Sequence, residues 1–138
     1  MNTEKFVYVS YIATTQQKLW DALTKPEFVK EYFFGRDLQT DWKVGSSIRM
    51  GDDWDGKILK SEPIDLLVFT FHPLADSLKD EPVSTVTYKL EQKGATVKLS
   101  VIHEELSEKT YNSISGGWPQ IISNLKSLLE TGKTLPSL

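Results

Sequence analysis

The chain contains no cysteine, which excludes a disulfide framework, a thiolate zinc site and a cysteine nucleophile together. Stability has to come from packing. Histidine is nearly as scarce: His72 and His103 are the two in the chain, and without a His-x-x-x-His or Glu-x-x-His spacing no metal site is expected. Long apolar runs are missing too, none approaching the roughly 18 residues of a membrane span. The first residues, Met1 to Lys5, show no basic segment leading into an apolar one, so a cytoplasmic location is the expectation. Neither sign of charge dominates. With 16 basic and 19 acidic side chains the net charge is -3, which leaves no broad footprint for phosphate backbones, and nucleic acid is not an expected partner. Gly-x-Ser-x-Gly elbow, P-loop and dinucleotide fingerprint are all absent, so spacing points to no cofactor and no catalytic residue.

What is present is a chain of 138 residues, 39% hydrophobic and 25% charged, a size and composition suited to one core that buries about two-thirds of the unfolded surface. No repeat or linker interrupts it, so residues 1–138 are expected to form one domain. Four Trp, five Tyr and six Phe make up 11% of the chain. That is a large amount of flat, bulky side chain for so small a protein.

Periodicity orders the elements. Phe6 to Ile12 is β-branched and aromatic and reads as a strand with apolar groups on both faces. Thr14 or Thr15 can cap a short helix over Gln16 to Leu23, and Pro26 opens a second with Phe28, Val29, Tyr32 and Phe33 as its stripe and Gly35 as its stop. From Arg36 to Glu104 turn residues cut the chain into five or six strands: Leu38 to Trp42, Ser46 to Met50, Trp54 to Ser61, Leu66 to Phe71, Val83 to Glu91 and Ala95 to Glu104. The last two alternate clearly, placing Val86, Tyr88 and Leu90 with Val97, Leu99, Val101 and His103 on one buried face. Trp118, Ile121, Ile122, Leu125, Leu128 and Leu129 then form a helical stripe ending before Gly132. The helix is expected from about Trp118 to Thr131, with a helical lead-in from Ser107 and either a kink or a break at Gly116 and Gly117, next to Pro119. The pattern predicts an α+β fold, a curved antiparallel sheet of six or seven strands wrapped around a long C-terminal helix, with two short helices after the first strand.

Four segments carry a resemblance: Leu19-Trp20-Asp21-Ala22-Leu23-Thr24-Lys25-Pro26-Glu27, Asp41-Trp42-Lys43-Val44-Gly45, Gly56-Lys57-Ile58-Leu59-Lys60-Ser61-Glu62-Pro63, and Gly117-Trp118-Pro119 with Leu125-Lys126 and Leu128-Leu129-Glu130. Together they resemble bacterial proteins similar to the C-terminal domain of the activator of the heat-shock-protein-90 ATPase. That group lies within the START-like (SRPBCC) helix-grip superfamily, alongside plant pollen allergens and polyketide cyclases. The resemblance implies a helix-grip fold with a cavity between sheet and long helix, which in many relatives takes a hydrophobic small molecule. Gly45-Ser46 and Tyr32-Phe33 depart from the usual Gly pair and Trp of those relatives, so ligand identity does not carry over.

Register and resemblance together nominate Phe28 and Tyr32, Phe69 and Phe71, Tyr88, and Trp118, Ile121, Ile122 and Leu125 as ligand-binding residues. Each is equally explicable as core. His103 continues the inward register toward the open end of the sheet and is read as a rim histidine able to meet a ligand head group. His72, beside Pro73, is expected in solvent. Arg36 is placed at the mouth, where a guanidinium could meet a carboxylate or phosphate, and Arg49 in solvent. Asp52-Asp53-Trp54-Asp55-Gly56 imitates a calcium loop, but Gly51 occupies the place of its first carboxylate, so a turn is expected. The expected function is binding of a small hydrophobic or amphipathic molecule (a lipid, fatty acid or polycyclic aromatic) without catalysis, by a monomer or weak homodimer. The alternatives are a co-chaperone in contact with the heat-shock-protein-90 ATPase, and a cyclase or hydrolase on the same scaffold with His103 as its acid or base. An enclosed void of about 300 Å³ or more would favour binding.

Overall fold

A computed structural model describes residues 4–136. The first strand, β1 (Glu4–Ile12), turns its even-numbered residues inward and leaves Val7, Val9 and Tyr11 exposed. The Thr15 side chain accepts from the Lys18 amide at 3.2 Å and caps α1 (Gln16–Thr24), which buries Leu19, Trp20, Ala22 and Leu23. Pro26 drives Lys25 into an extended conformation, so the chain bends before α2 (Pro26–Tyr32). Left-handed Phe34 and Gly35 end that helix and turn the chain toward the sheet.

Six further strands follow: β2 (Leu38–Gln39), β3 (Ser47–Met50), β4 (Trp54–Glu62), β5 (Leu66–Pro73), β6 (Ser84–Lys93) and β7 (Thr96–Leu106). They form one antiparallel sheet in the order β1-β7-β6-β5-β4-β3-β2, a meander whose far edge is closed by the first strand. The strand expected over Leu38 to Trp42 is shorter than its pattern. Asp41 accepts from the Lys43 amide at 2.8 Å and Trp42 adopts a φ of 60°, a local turn that takes the backbone out of the ladder. Trp42 instead points its indole N–H at the Thr24 carbonyl, 3.0 Å away.

The long helix α3 (Glu108–Thr131) is continuous, 24 residues from its Ser107 cap to left-handed Gly132. Of the kink or break expected at Gly116 and Gly117, the break does not occur. A proline removes one backbone donor, while burial of Trp118, Ile121, Ile122 and Leu125 against the sheet contributes about 1.5–3 kcal/mol per side chain. Packing outweighs propensity there. The fold is α+β, three helices on an open seven-stranded sheet with α3 laid along the inner face beside β1. Among the described residues no helix is long and apolar enough to cross a membrane.

Aromatic rings tie the layers together. Trp54 stacks on Phe69 at 5.3 Å, Phe69 meets Tyr88 edge-on at 5.5 Å, and Tyr88 meets Trp118 at 6.0 Å. The chain of contacts runs from β4 across the sheet to α3.

Candidate functional site

The aromatic residues divide into a filled region and an open one. Beneath α1 and α2, around Tyr32, Phe69 and Tyr88, the remaining void measures about 10 Å³, too little for any organic ligand. The Tyr32 hydroxyl donates to the Ala22 carbonyl at 2.8 Å, binding α2 to α1. Burial of that phenol, with Tyr88 beside it, holds its pKa well above the ordinary value, and burial does the same to Tyr88.

At the other end of α3 lies a half-open cavity of about 260 Å³. Trp54 and Phe71 from the sheet face Trp118 and Ile121 from the helix, and Phe33 with Phe34 closes the side next to α2. Ala75 and Leu78, from the loop of residues 74–83, form the outer wall. Gly117 borders the space, and a Cβ there would meet no atom within 4 Å. Polar groups are few: Asp52 and Asp53 on the β3–β4 turn, and Thr110 and Ser113 on the first turns of α3. Such a lining, mostly apolar with a few placed polar groups, is the usual form of a small-molecule site.

Behind the cavity wall runs a buried polar chain. The Trp118 indole N–H donates to His103 Nδ1 at 3.0 Å, and because indole can only donate, the imidazole proton resides on Nε2. From there it is donated to Ser84 Oγ at 2.7 Å, and Ser84 donates onward to the Phe71 carbonyl at 3.3 Å. His103 and Ser84 are completely buried. Burial pushes the His103 pKa down to about 3, so the ring is neutral and both its nitrogens are engaged. Its work is to orient Trp118 and Phe71, two walls of the cavity.

Of the ligand-binding residues expected from sequence, Phe71, Trp118 and Ile121 line the cavity. Tyr32, Phe69 and Tyr88 stand in the filled region, and Ile122 and Leu125 are core residues outside both spaces. His103 is not a rim residue but an interior one. Phe28 is 37% exposed and borders neither space, since α2 is short and turns Val29 and Tyr32 inward. Arg36 meets a carboxylate of the chain itself, its Nε donating to Asp53 at 2.7 Å, and Arg49 reaches Asp52 at 3.3 Å in solvent. His72 is not free either, its Nε2 lying 2.8 Å from the Lys79 carbonyl. Residues 51–53 form a turn, and among the described residues no cluster suited to a metal ion occurs. Sequence reasoning missed Phe33, Phe34, Trp54, Leu78 and Gly117. Leu78 had a signal, an apolar residue in the middle of a loop with Asp76, Asp80 and Glu81 around it; Gly117 was read only as a helix breaker.

The model of the family described as activator of Hsp90 ATPase homolog 1-like protein matches residues 13–130. The chain belongs to this family. Like other members of the activator-homolog family it has the helix-grip fold, and solved structures share it. A protein of Mesorhizobium loti is 24% identical over 91% of this chain and 96% of its own, with a TM-score of 0.81. The Aha1 dimer from Colwellia psychrerythraea is 20% identical, covering 94% and 98% of the two chains at a TM-score of 0.78. An HSP90 activator from Plasmodium falciparum is 20% identical over 91% and 95%, also at 0.78. At these identities the likeness is one of fold. No protein of curated function matches the sequence.

Proposed function

We propose that this family member binds a small hydrophobic or amphipathic molecule in the cavity between α3, β4 and β5, without chemistry of its own. The observation that carries the reading is an opening of about 260 Å³ walled by Phe33, Phe34, Trp54, Phe71 and Trp118. The volume falls just below the usual range of ligand pockets, about 300–1,000 Å³. It suits one or two fused rings or a short acyl chain better than a whole lipid. Affinity would come from desolvation, about 0.8 kcal/mol for each buried methylene, with Ser113 or Asp53 orienting one polar end.

The test is an NMR titration of the protein against naphthols, flavonoid-like compounds and short-chain fatty acids, with native mass spectrometry of protein purified from cells. Binding should shift the Trp54 and Trp118 indole signals, and Gly117→Leu, which fills the cavity from the helix side, should abolish the shift. If no indole signal moves across the set, or Gly117→Leu binds as tightly as the parent, the reading fails.

A second reading is favoured by the family match itself: a co-chaperone acting on the heat-shock-protein-90 ATPase. Stimulation of that ATPase by this chain, unchanged in Gly117→Leu, would support it in place of ligand binding. The cyclase or hydrolase reading rested on His103. With Trp118 on one ring nitrogen and Ser84 on the other, the imidazole has no free position for proton transfer.

A further inference from the structure

The first strand lies at an edge of the sheet with β7 on one side only. It is nine residues long, whereas the strand at the opposite edge, β2, has two. Edge strands of this length are ordinarily blunted by proline, by charge or by a covering element, because their unpaired N–H and C=O groups invite a further strand. Here the protection is partial. Lys126 Nζ donates to the Tyr11 carbonyl and Glu130 accepts from the Ala13 amide at 2.7 Å, so α3 covers the C-terminal end of the edge. A carbonyl reached from α3 points away from β7, and in an antiparallel ladder that direction alternates along the strand. Val9 and Val7 therefore present both backbone groups outward. Their side chains are exposed as well, Val7 by 50%, Val9 by 43% and Tyr11 by 53%, all on the outer face, with Ile102 of β7 directly opposite Val7.

We propose that β1 pairs antiparallel with β1 of a second copy of this chain, joining two seven-stranded sheets edge to edge. A two-fold axis at Tyr8 is the register that centres the pairing on the uncovered residues Val7 and Val9. It sets Val7 against the partner's Val9, and the same pair repeats across the axis, giving backbone hydrogen bonds at these two residues while the Tyr11 carbonyl stays with Lys126. It also sets Lys5 on the ring of the partner's Tyr11, an ammonium over an aromatic face, and brings Glu4 toward the partner's Lys126 beside Ile12. Charge and apolar surface are thus complementary under the symmetry, as an isologous interface requires. The strand contains no proline, and its two charged residues, Glu4 and Lys5, stand at its start, so residues 6–12 carry no charge to oppose the pairing. One strand pair is a small interface, below about 1,200 Å², and a weak dimer with a Kd on the order of 100 μM is expected.

Sedimentation velocity over a series from about 10 μM to about 1 mM, bracketing that Kd, should show the mass rising from one chain to two. Amide exchange at Val7 and Val9 should slow over the same series, while exchange at Tyr8, already bonded to β7, stays constant. Val9→Pro removes only an outward donor, and Val9→Lys places a charge on the outer face; both should remain folded and monomeric throughout. A single-chain mass at every concentration overturns the proposal. So does a dimer that survives either variant, which would locate the contact on another face, or a Val9→Pro chain that unfolds while Val9→Lys still dimerises.

Discussion

His103 commits both ring nitrogens inside the fold, and its neutrality has a measurable consequence. Its pKa in the folded chain is about 3, against about 6.5 in an unfolded one. The unfolded chain therefore takes up a proton first as pH falls, and stability is lost progressively from pH 6.5 down toward pH 3. The slope is about 1.4 kcal/mol per pH unit, or roughly 2 kcal/mol between pH 6.5 and 5, where most carboxylates have not begun to titrate. Urea midpoints measured across that window should fall for the parent chain and change much less for His103→Leu. The same variant strands the Trp118 N–H and removes the donor that the Ser84 oxygen accepts from, leaving Ser84 only its bond to the Phe71 carbonyl, so at pH 7 it should be less stable by about 2–4 kcal/mol. Gly56 is a second residue with no freedom: a Cβ there would lie 1.9 Å from the Thr70 carbonyl oxygen on β5. Gly56→Ala should cost at least about 3 kcal/mol in denaturant melts, since backbone on two strands must move.

Among the elements, α3 shows how tertiary contacts override local preference. Glycines at 116 and 117 and a proline at 119 predict a kink or a break, yet the helix runs through them unbroken because residues on both sides are held by the same sheet. Residual weakness should still be there. Gly116 has open space around its Cα, so Gly116→Ala should stabilise the chain by about 0.5–1 kcal/mol without altering the cavity. A thermal melt that does not rise would indicate that the helix needs its glycine for a reason outside propensity. The Ser107 cap joins a second element to this one: its hydroxyl donates to Glu81 Oε1 at 2.8 Å and accepts from the Thr110 amide at 3.3 Å. Ser107→Ala should lose about 1 kcal/mol as a cap and speed amide exchange in residues 74–83, the outer wall of the cavity.

At the scale of the whole molecule, the cavity walls come from the sheet, the long helix, the turn that ends α2 and the loop of residues 74–83. A ligand held between them binds only the folded chain, so at a concentration of 100 times its Kd it should add about 2.7 kcal/mol to stability. For a chain of this size that is a rise of roughly 5–15 °C in Tm. Gly117→Leu should melt normally and show no rise with the same compound. A ligand-dependent rise retained in that variant would place the binding elsewhere.

The sequence by itself determined the element order, the inward register of β6 and β7 and the stripe of α3. Those depend on periods of two and 3.6 residues, which local chemistry writes directly into the chain. It also determined that Phe71, Trp118 and Ile121 face the interior. Only the tertiary structure decided which interior aromatics touch one another and which border open space. Phe69 and Tyr88 have the same inward register as Phe71, but they are covered by α1 and by α2 with its Tyr32, and that docking is a matter of distance between layers. The break at Gly116 to Pro119, the short β2 and the interior place of His103 were settled in the same way. Each depends on partners far away in the sequence: the sheet under α3, the Thr24 carbonyl that receives Trp42, and the Ser84 hydroxyl and Trp118 indole on either side of one imidazole.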